Sequence, residues 1–181
     1  MAGHLIRKIE ENGGCLDTGF LATPYLLDAI CKTGRVDQAY QLLLQTKCPS
    51  WLYEVKQVAT TIWENYIAYK EDGTPVMTSL NHYAFGCVDD WMFRKISGIQ
   101  PAAPGFKEIV IAPELNDAFT NAKRAYMSEY GKIATAWDLK DGKFHIEVDI
   151  PCNTTAVVNL PDGSSYKIGS GSYTFDCDVK Q

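Results

Sequence analysis

Two short blocks concentrate the residues that can do chemistry: Ala59-Thr60-Thr61-Ile62-Trp63-Glu64-Asn65-Tyr66 and Ser79-Leu80-Asn81-His82-Tyr83-Ala84-Phe85-Gly86. Thr18-Gly19-Phe20 and Pro49-Ser50-Trp51-Leu52-Tyr53 lie upstream. Together they supply aromatic rings, hydroxyls, an amide, a carboxylate and an imidazole. That set suits a sugar pocket, where ring faces stack on the apolar face of the sugar and small polar groups bond its hydroxyls. A carboxylate beside Trp63 is partly desolvated, which tunes Glu64 toward acid or base work. Each residue also has a plain structural reading. Glu64 fits a solvated helix position, because Glu is rarely buried. His82 fits a helix entry bonded to backbone, with Asn81 as the N-cap. Trp51, Trp63 and Trp91 fit a core, where aromatics dominate the area. Asp89 and Asp90 are neighbours on a predicted helix, so their side chains diverge and they read as structural. No Ser/Cys–His–Asp triad, phosphate-binding glycine loop or metal-ligand spacing is present, so no cofactor or metal is expected.

The elements that must position these residues change character near residue 100. Before it, apolar spacing is helical. Leu5, Ile6 and Ile9 mark a short helix that stops before Asn12-Gly13-Gly14. Thr23-Pro24 opens a second, with Thr as N-cap and Pro in the first turn. Tyr25, Leu26, Ala29 and Ile30 give it a buried face, and Gly34 ends it. Val36, Ala39, Tyr40, Leu43 and Leu44 mark a third, so residues 24–46 form a helix–turn–helix pair. A fourth apolar segment over 60–69 carries Ile62, Trp63, Tyr66 and Tyr69 at helical spacing. Residues 81–97 are predicted helical, closed by Gly98. Pro101-Ala102-Ala103-Pro104-Gly105 cannot continue a helix. Beyond it the pattern alternates: Ile133, Thr135, Trp137 and Leu139, then Phe144, Ile146, Val148 and Ile150, joined by Asp141-Gly142, which tolerates the positive φ angles of a type I′ hairpin. Ile109 and Ile111, then Ala156 and Val158, Tyr166 and Ile168, and Tyr173, Phe175 and Cys177 supply further strands. Short strands at this spacing predict an antiparallel sandwich.

The chain has 181 residues, 17 basic and 22 acidic, a net charge of -5 and 46% hydrophobic residues. Interspersed charge with an acidic excess argues against nucleic acid as a partner. No apolar run approaches the roughly 20 residues of a membrane helix, so no membrane partner is expected. The first residues lack the apolar core of a signal peptide, and the compartment is left open. The six cysteines form no C-x-x-C pair and read as reduced, mostly buried thiols, with Cys152 and Cys177 able to pair in the β-rich part.

Thr18-Gly19-Phe20-Leu21-Ala22-Thr23-Pro24-Tyr25-Leu26-Leu27 resembles the T-G-F-x-x-T-P-x-L-L stretch of bacterial α-L-rhamnosidases of glycoside hydrolase family 78. The Pro49, Ala59 and Ser79 blocks resemble later blocks of that family in the same order. Pro104-Gly105-Phe106-Lys107 and Ile111-Ala112-Pro113 resemble its junction into a C-terminal sandwich, and Tyr130-Gly131-Lys132-Ile133 and Ile150-Pro151-Cys152-Asn153-Thr154-Thr155-Ala156 resemble strands of that sandwich. The resemblance covers nearly the whole chain. It implies an α+β architecture in two parts: the last helices of an (α/α)6 toroid over residues 1–103, then an antiparallel β-sandwich over 104–181.

The resemblance also implies a reaction. The family removes terminal α-L-rhamnose with inversion, which needs two carboxyls about 6.5–9.5 Å apart with a water between. The base of the T-T-x-W-E block maps to Glu64, and the sugar-contacting His of the N-H-Y block maps to His82. Trp63 and Trp51 are candidates for the pocket wall. The family's general acid lies in an upstream acidic block that is absent here, so the chain is expected to be part of a longer polypeptide and inactive alone. Its expected partners are a rhamnose-containing carbohydrate and the N-terminal remainder of the toroid, with homo-oligomers through exposed apolar faces as a further expectation. A non-catalytic carbohydrate-binding module or a decayed enzyme remnant is the alternative. Four positions depart from the family: Asn65 and Tyr66 where Arg and Trp are common, and Lys56 and Val58 where Asp and Gly are more usual.

Overall fold

Pro24 opens the helix that the sequence predicts there. A computed structural model describes residues 2–69 and 72–179 of the chain. It divides into two compact units, Met1–Asp89 and Asp90–Gln181. The first unit contains α1 (Ala2–Glu11), α2 (Thr23–Cys31), α3 (Val36–Leu43), α4 (Trp51–Lys56) and a 3-10 helix, Tyr83–Cys87. Thr23 is the first residue of α2 rather than its N-cap. Its buried hydroxyl instead donates to the carbonyls of Thr18 and Gly19, tying the preceding loop to the helix. Leu26, Leu27 and Ile30 of α2 and Ala39, Tyr40, Leu42 and Leu43 of α3 are buried, forming the predicted pair. Gly34, at φ 78°, makes the reversal between them.

The helical spacing over 60–69 does not produce a helix; the segment is irregular. Trp63, Tyr66 and Ala68 are buried there. Their backbone is satisfied by distant groups and not by an i→i−4 ladder, so tertiary anchoring overrides the period. The adjacent helix is α4, whose six residues are too few for periodicity to register. It is stabilised at both ends. Ser50 Oγ accepts from Tyr53 N–H at 3.1 Å. At the other end Val58 N–H bonds Val55 O and Ala59 N–H bonds Glu54 O, the two bonds of a Schellman cap with Val58 left-handed at φ 61°. The helix predicted over 81–97 is also broken. His82, not Asn81, caps the 3-10 helix, and α5 (Val88–Lys95) follows. Asp90 pairs with Arg94 one turn on, as its structural reading required.

Among its described residues the second unit holds eight strands: β1 (Ile99–Pro101), β2 (Glu108–Ile111), β3 (Asn121–Ser128), β4 (Gly131–Lys140), β5 (Lys143–Ile150), β6 (Thr155–Asn159), β7 (Ser165–Ile168) and β8 (Gly171–Asp178). They form two four-stranded sheets, β1-β2-β6-β7 and β3-β4-β5-β8. All pairings are antiparallel except β2–β6, which is parallel. Because β1 already pairs with β2, the sandwich unit begins before residue 104. Asp141 and Gly142, at φ 51° and 74°, make the predicted β4–β5 hairpin. Ile133, Trp137, Phe144, Ile146, Val148 and Ile150 from one sheet and Ile109, Ile111, Ala156 and Val158 from the other are buried as the core. Trp137 Nε1 donates to Ile96 O at 2.7 Å and Thr135 Oγ1 to Ser97 O at 2.9 Å, so the inner polar groups are satisfied. All six cysteines are free, including Cys152 and Cys177.

Candidate functional site

The two chemistry-bearing blocks lie side by side in the first unit. Glu64 N–H bonds Ser79 O at 2.9 Å and His82 N–H bonds Ile62 O at 2.8 Å. The Thr61 hydroxyl donates to Leu80 O. Glu64 Oε2 accepts from Ser79 N–H at 2.8 Å and, at 3.5 Å, from the Thr78 hydroxyl, and both of these bonds fall on the same oxygen. One carboxylate oxygen is thus held by backbone and the half-buried group keeps lone pairs for a ligand.

Glu64 lines an open cleft of about 400 Å³ together with Asp17, Thr18, Phe20, Asn65, Tyr66 and Phe85. The aromatic wall is layered. Tyr66 stacks on Phe85 with centroids 4.2 Å apart, and Phe20 meets Phe85 at 5.0 Å. His82 stacks on Phe20 at 4.9 Å and on Tyr83 at 5.4 Å. Its Nδ1 accepts from Ala84 N–H at 3.3 Å. The ring hydrogen therefore belongs on Nε2, which remains a donor. The Glu64 carboxylate thus lies in the cleft beside the aromatic wall, while His82 is not among the lining residues and stacks on Phe20 of that wall.

Trp51 and Trp63 occupy different places. Both are buried, at 5% and 3% exposure, and neither lines the cleft. Trp51 donates from Nε1 to Phe85 O at 2.9 Å and meets Tyr66 edge-on, so it supports the cleft floor from beneath. Trp63 packs edge-on against Tyr69. Burial pushes the Tyr66 phenol far above its ordinary range.

Sequence reasoning did not single out Asp17 or Glu54. Asp17 sits directly before the Thr18-Gly19-Phe20 block, and that adjacency was the available signal. Glu54 carried none. It is a carboxyl at 2% exposure on α4, with Oε2 accepting from Trp63 N–H at 3.1 Å and Oε1 buried without a partner. Burial raises its pKa above the usual carboxylate range, and the Trp63 bond offsets part of that. Among the described residues no cluster of His, Cys, Asp and Glu could hold a metal ion.

Family models match the two parts of the chain in order. Residues 1–96 match the bacterial alpha-L-rhamnosidase 6 hairpin glycosidase domain, and residues 98–175 match the bacterial alpha-L-rhamnosidase C-terminal domain. The chain belongs to the bacterial α-L-rhamnosidase family. An α-L-rhamnosidase of Formosa agariphila is 41% identical over 97% of this chain, and one of Streptomyces avermitilis is 37% identical over 96%. The crystal structure of the Streptomyces avermitilis α-L-rhamnosidase complexed with L-rhamnose superimposes with a TM-score of 0.94 at 36% identity, over 98% of this chain and 19% of that one. The native α-L-rhamnosidase of Aspergillus terreus superimposes at 0.92, also at 36% identity, over 97% of this chain and 21% of that one. The chain spans about a fifth of the length of these rhamnosidases. A toroid end followed by a β-sandwich is therefore its architecture, as the sequence resemblance implied.

Proposed function

We propose that this chain carries the general-base half of an inverting α-L-rhamnosidase site, with Glu64 as the base and His82 as a sugar-binding donor. The observation that carries the reading is the Glu64 carboxylate: one oxygen is fixed by Ser79 N–H, and the group lines an open cleft walled by aromatic rings. A base needs a lone pair that is aimed and not consumed, and a single backbone bond aims the group while leaving the other oxygen for water. His82 donates from Nε2 to a sugar hydroxyl. Trp51 acts from below, by holding Phe85 and Tyr66 of the wall in place, and Trp63 acts through its backbone, next to Glu64, and not by touching the ring.

In an inverting site the base removes a proton from water as that water attacks the anomeric carbon, and a second carboxyl protonates the leaving oxygen. Here the acid belongs to polypeptide outside these residues, the remainder of the toroid. Leu21, Tyr25 and Tyr83 on the helical unit are 90%, 72% and 90% exposed, and apolar surface of that kind is suited to such a covering partner or to a second copy of the chain. The substrate is a terminal α-L-rhamnoside.

The test is twofold. The isolated chain, incubated with an aryl α-L-rhamnoside, should release no aryl alcohol. Titration with L-rhamnose should shift the amide resonances of Glu64, Ser79 and His82, and less so in Glu64→Gln. Robust turnover by the purified chain, abolished in Glu64→Gln, would overturn the assignment of the acid to another part of the polypeptide. Rhamnose binding untouched by His82→Ala and Glu64→Gln would favour a binding module whose site lies elsewhere.

A further inference from the structure

Glu54 is a buried ionisable group that the reaction as described does not use. We propose that Glu54 is a positioning residue for Glu64: its buried carboxyl anchors the Trp63 backbone and so fixes where the neighbouring carboxylate sits in the cleft.

Ile62, Trp63 and Glu64 run through the first unit without secondary structure. The 79–82 segment holds two of them and α4 holds the third. Ile62 O receives His82 N–H, Glu64 N–H reaches Ser79 O, and Trp63 N–H reaches Glu54 Oε2. The first two are backbone bonds within the site. The third is the one made by an ionisable side chain, and it comes from α4. That helix has only six residues, yet it is capped by Ser50 at one end and by the Schellman bonds at the other. Ala59 N–H bonds Glu54 O, so the same residue grips the outgoing loop through its main chain as well. A misplacement of about 1 Å at a catalytic group is enough to cost about a hundredfold in rate, which is why such an anchor matters.

The chemistry of the anchor is unusual for a structural contact. A carboxyl at 2% exposure carries a desolvation cost, and its Oε1 recovers none of it through a hydrogen bond. A methionine of similar size would fill the space without that cost. What the carboxylate supplies is a charge-assisted acceptor for Trp63 N–H, stronger than a neutral one. The titratable groups acting electrostatically with it are the Cys48 thiol and the Tyr66 phenol, whose own ionisation its negative charge opposes. Burial raises the Glu54 pKa, so the anchor weakens on protonation at a pH above that of an ordinary carboxyl.

The functional meaning rests on the reading of Glu64 as the base, while the anchoring itself does not. Both are tested on the 181-residue chain and its Glu54→Gln and Glu54→Leu variants by NMR. Gln keeps a carbonyl acceptor but cannot titrate; Leu has no acceptor. Hydrogen exchange at the Trp63 amide should be slow in the parent and in Glu54→Gln, and about tenfold faster in Glu54→Leu, with the α2 and α3 amides unchanged. The Ser79 amide, which donates to Glu64 Oε2, should follow the same exchange pattern, and the Trp63 amide shift should follow Glu54 across pH in the parent and stay flat in Glu54→Gln. A residue that merely filled space would leave the Ser79 exchange unaltered. If Glu54→Leu fails to fold, the comparison of the parent with Glu54→Gln across pH decides alone. Unchanged Trp63 or Ser79 exchange in a folded Glu54→Leu, or a Trp63 amide shift in the parent that does not follow Glu54 across pH, overturns the proposal. If the anchor behaves as expected but L-rhamnose shifts nothing near Glu64, positioning stands and the base assignment falls.

Discussion

Val58 is a β-branched residue held in the left-handed region, at φ 61°, and replacing it by glycine should stabilise the helical unit. The left-handed conformation costs an L-residue about 1–2 kcal/mol, and branching at Cβ places valine at the upper end. Little packing opposes the change, because Val58 is 83% exposed. Glycine adds freedom to the unfolded chain, which subtracts about 0.5–1 kcal/mol. The net expectation is a gain of about 1 kcal/mol, with both Schellman bonds, Val58 N–H to Val55 O and Ala59 N–H to Glu54 O, retained. For a unit of this size that corresponds to a rise in Tm of about 4–8 °C. Urea unfolding followed by residue-resolved NMR, with reporters in each unit, measures it directly. Val58→Ala is the control, since it removes the branch but keeps the Cβ, and should gain less than glycine. A Val58→Gly chain no more stable than the parent would refute the claim that strain is stored at this cap.

Gly98, at φ 81°, should not tolerate alanine: an added Cβ would lie 2.5 Å from Pro113 N, and the displaced backbone should destabilise the sandwich unit by about 3 kcal/mol or more in the same unfolding assay. The pair His145–Asp176 should make a small, pH-dependent contribution. The Asp176 hydrogen bond at 2.8 Å raises the His145 pKa, so its stabilisation is fully present below the ordinary value of 6.5 and is lost as pH rises through the folded value. Because both side chains are substantially exposed, the effect should stay below about 0.5 kcal/mol, and Asp176→Asn should return the His145 titration toward the ordinary value in an NMR measurement.

Local physics is legible where the residues act on their own neighbours. Pro24 opens a helix because its fixed φ and missing N–H suit the first turn, and Asp141-Gly142 turns a hairpin because both residues accept positive φ. The alternation in β4 and β5 shows the core face because one side of each strand meets the other sheet. The ordered blocks around Phe20, Trp51, Glu64 and His82 likewise identify the family without coordinates. Strand β3 escapes such reading, since it is an edge strand with most side chains exposed and no apolar alternation to display. The parallel β2–β6 pairing escapes it too, because a contact between distant strands leaves no local period.

The tertiary structure alone decided the rest. Residues 60–69 carry a helical period yet run irregularly, because Glu54 and Ser79 supply partners that a helix would have supplied from within. Trp51 and Trp63 carry the composition of a pocket wall yet are buried and do not line the cleft, because burial of their large rings outweighs exposure to a ligand. Glu54 looks like any surface carboxyl until α4 turns it inward. Sequence determines which groups are available and which local turns they favour. Whether a carboxyl meets water or the backbone of a neighbouring loop depends on contacts between segments far apart in the chain, and those exist only once it folds.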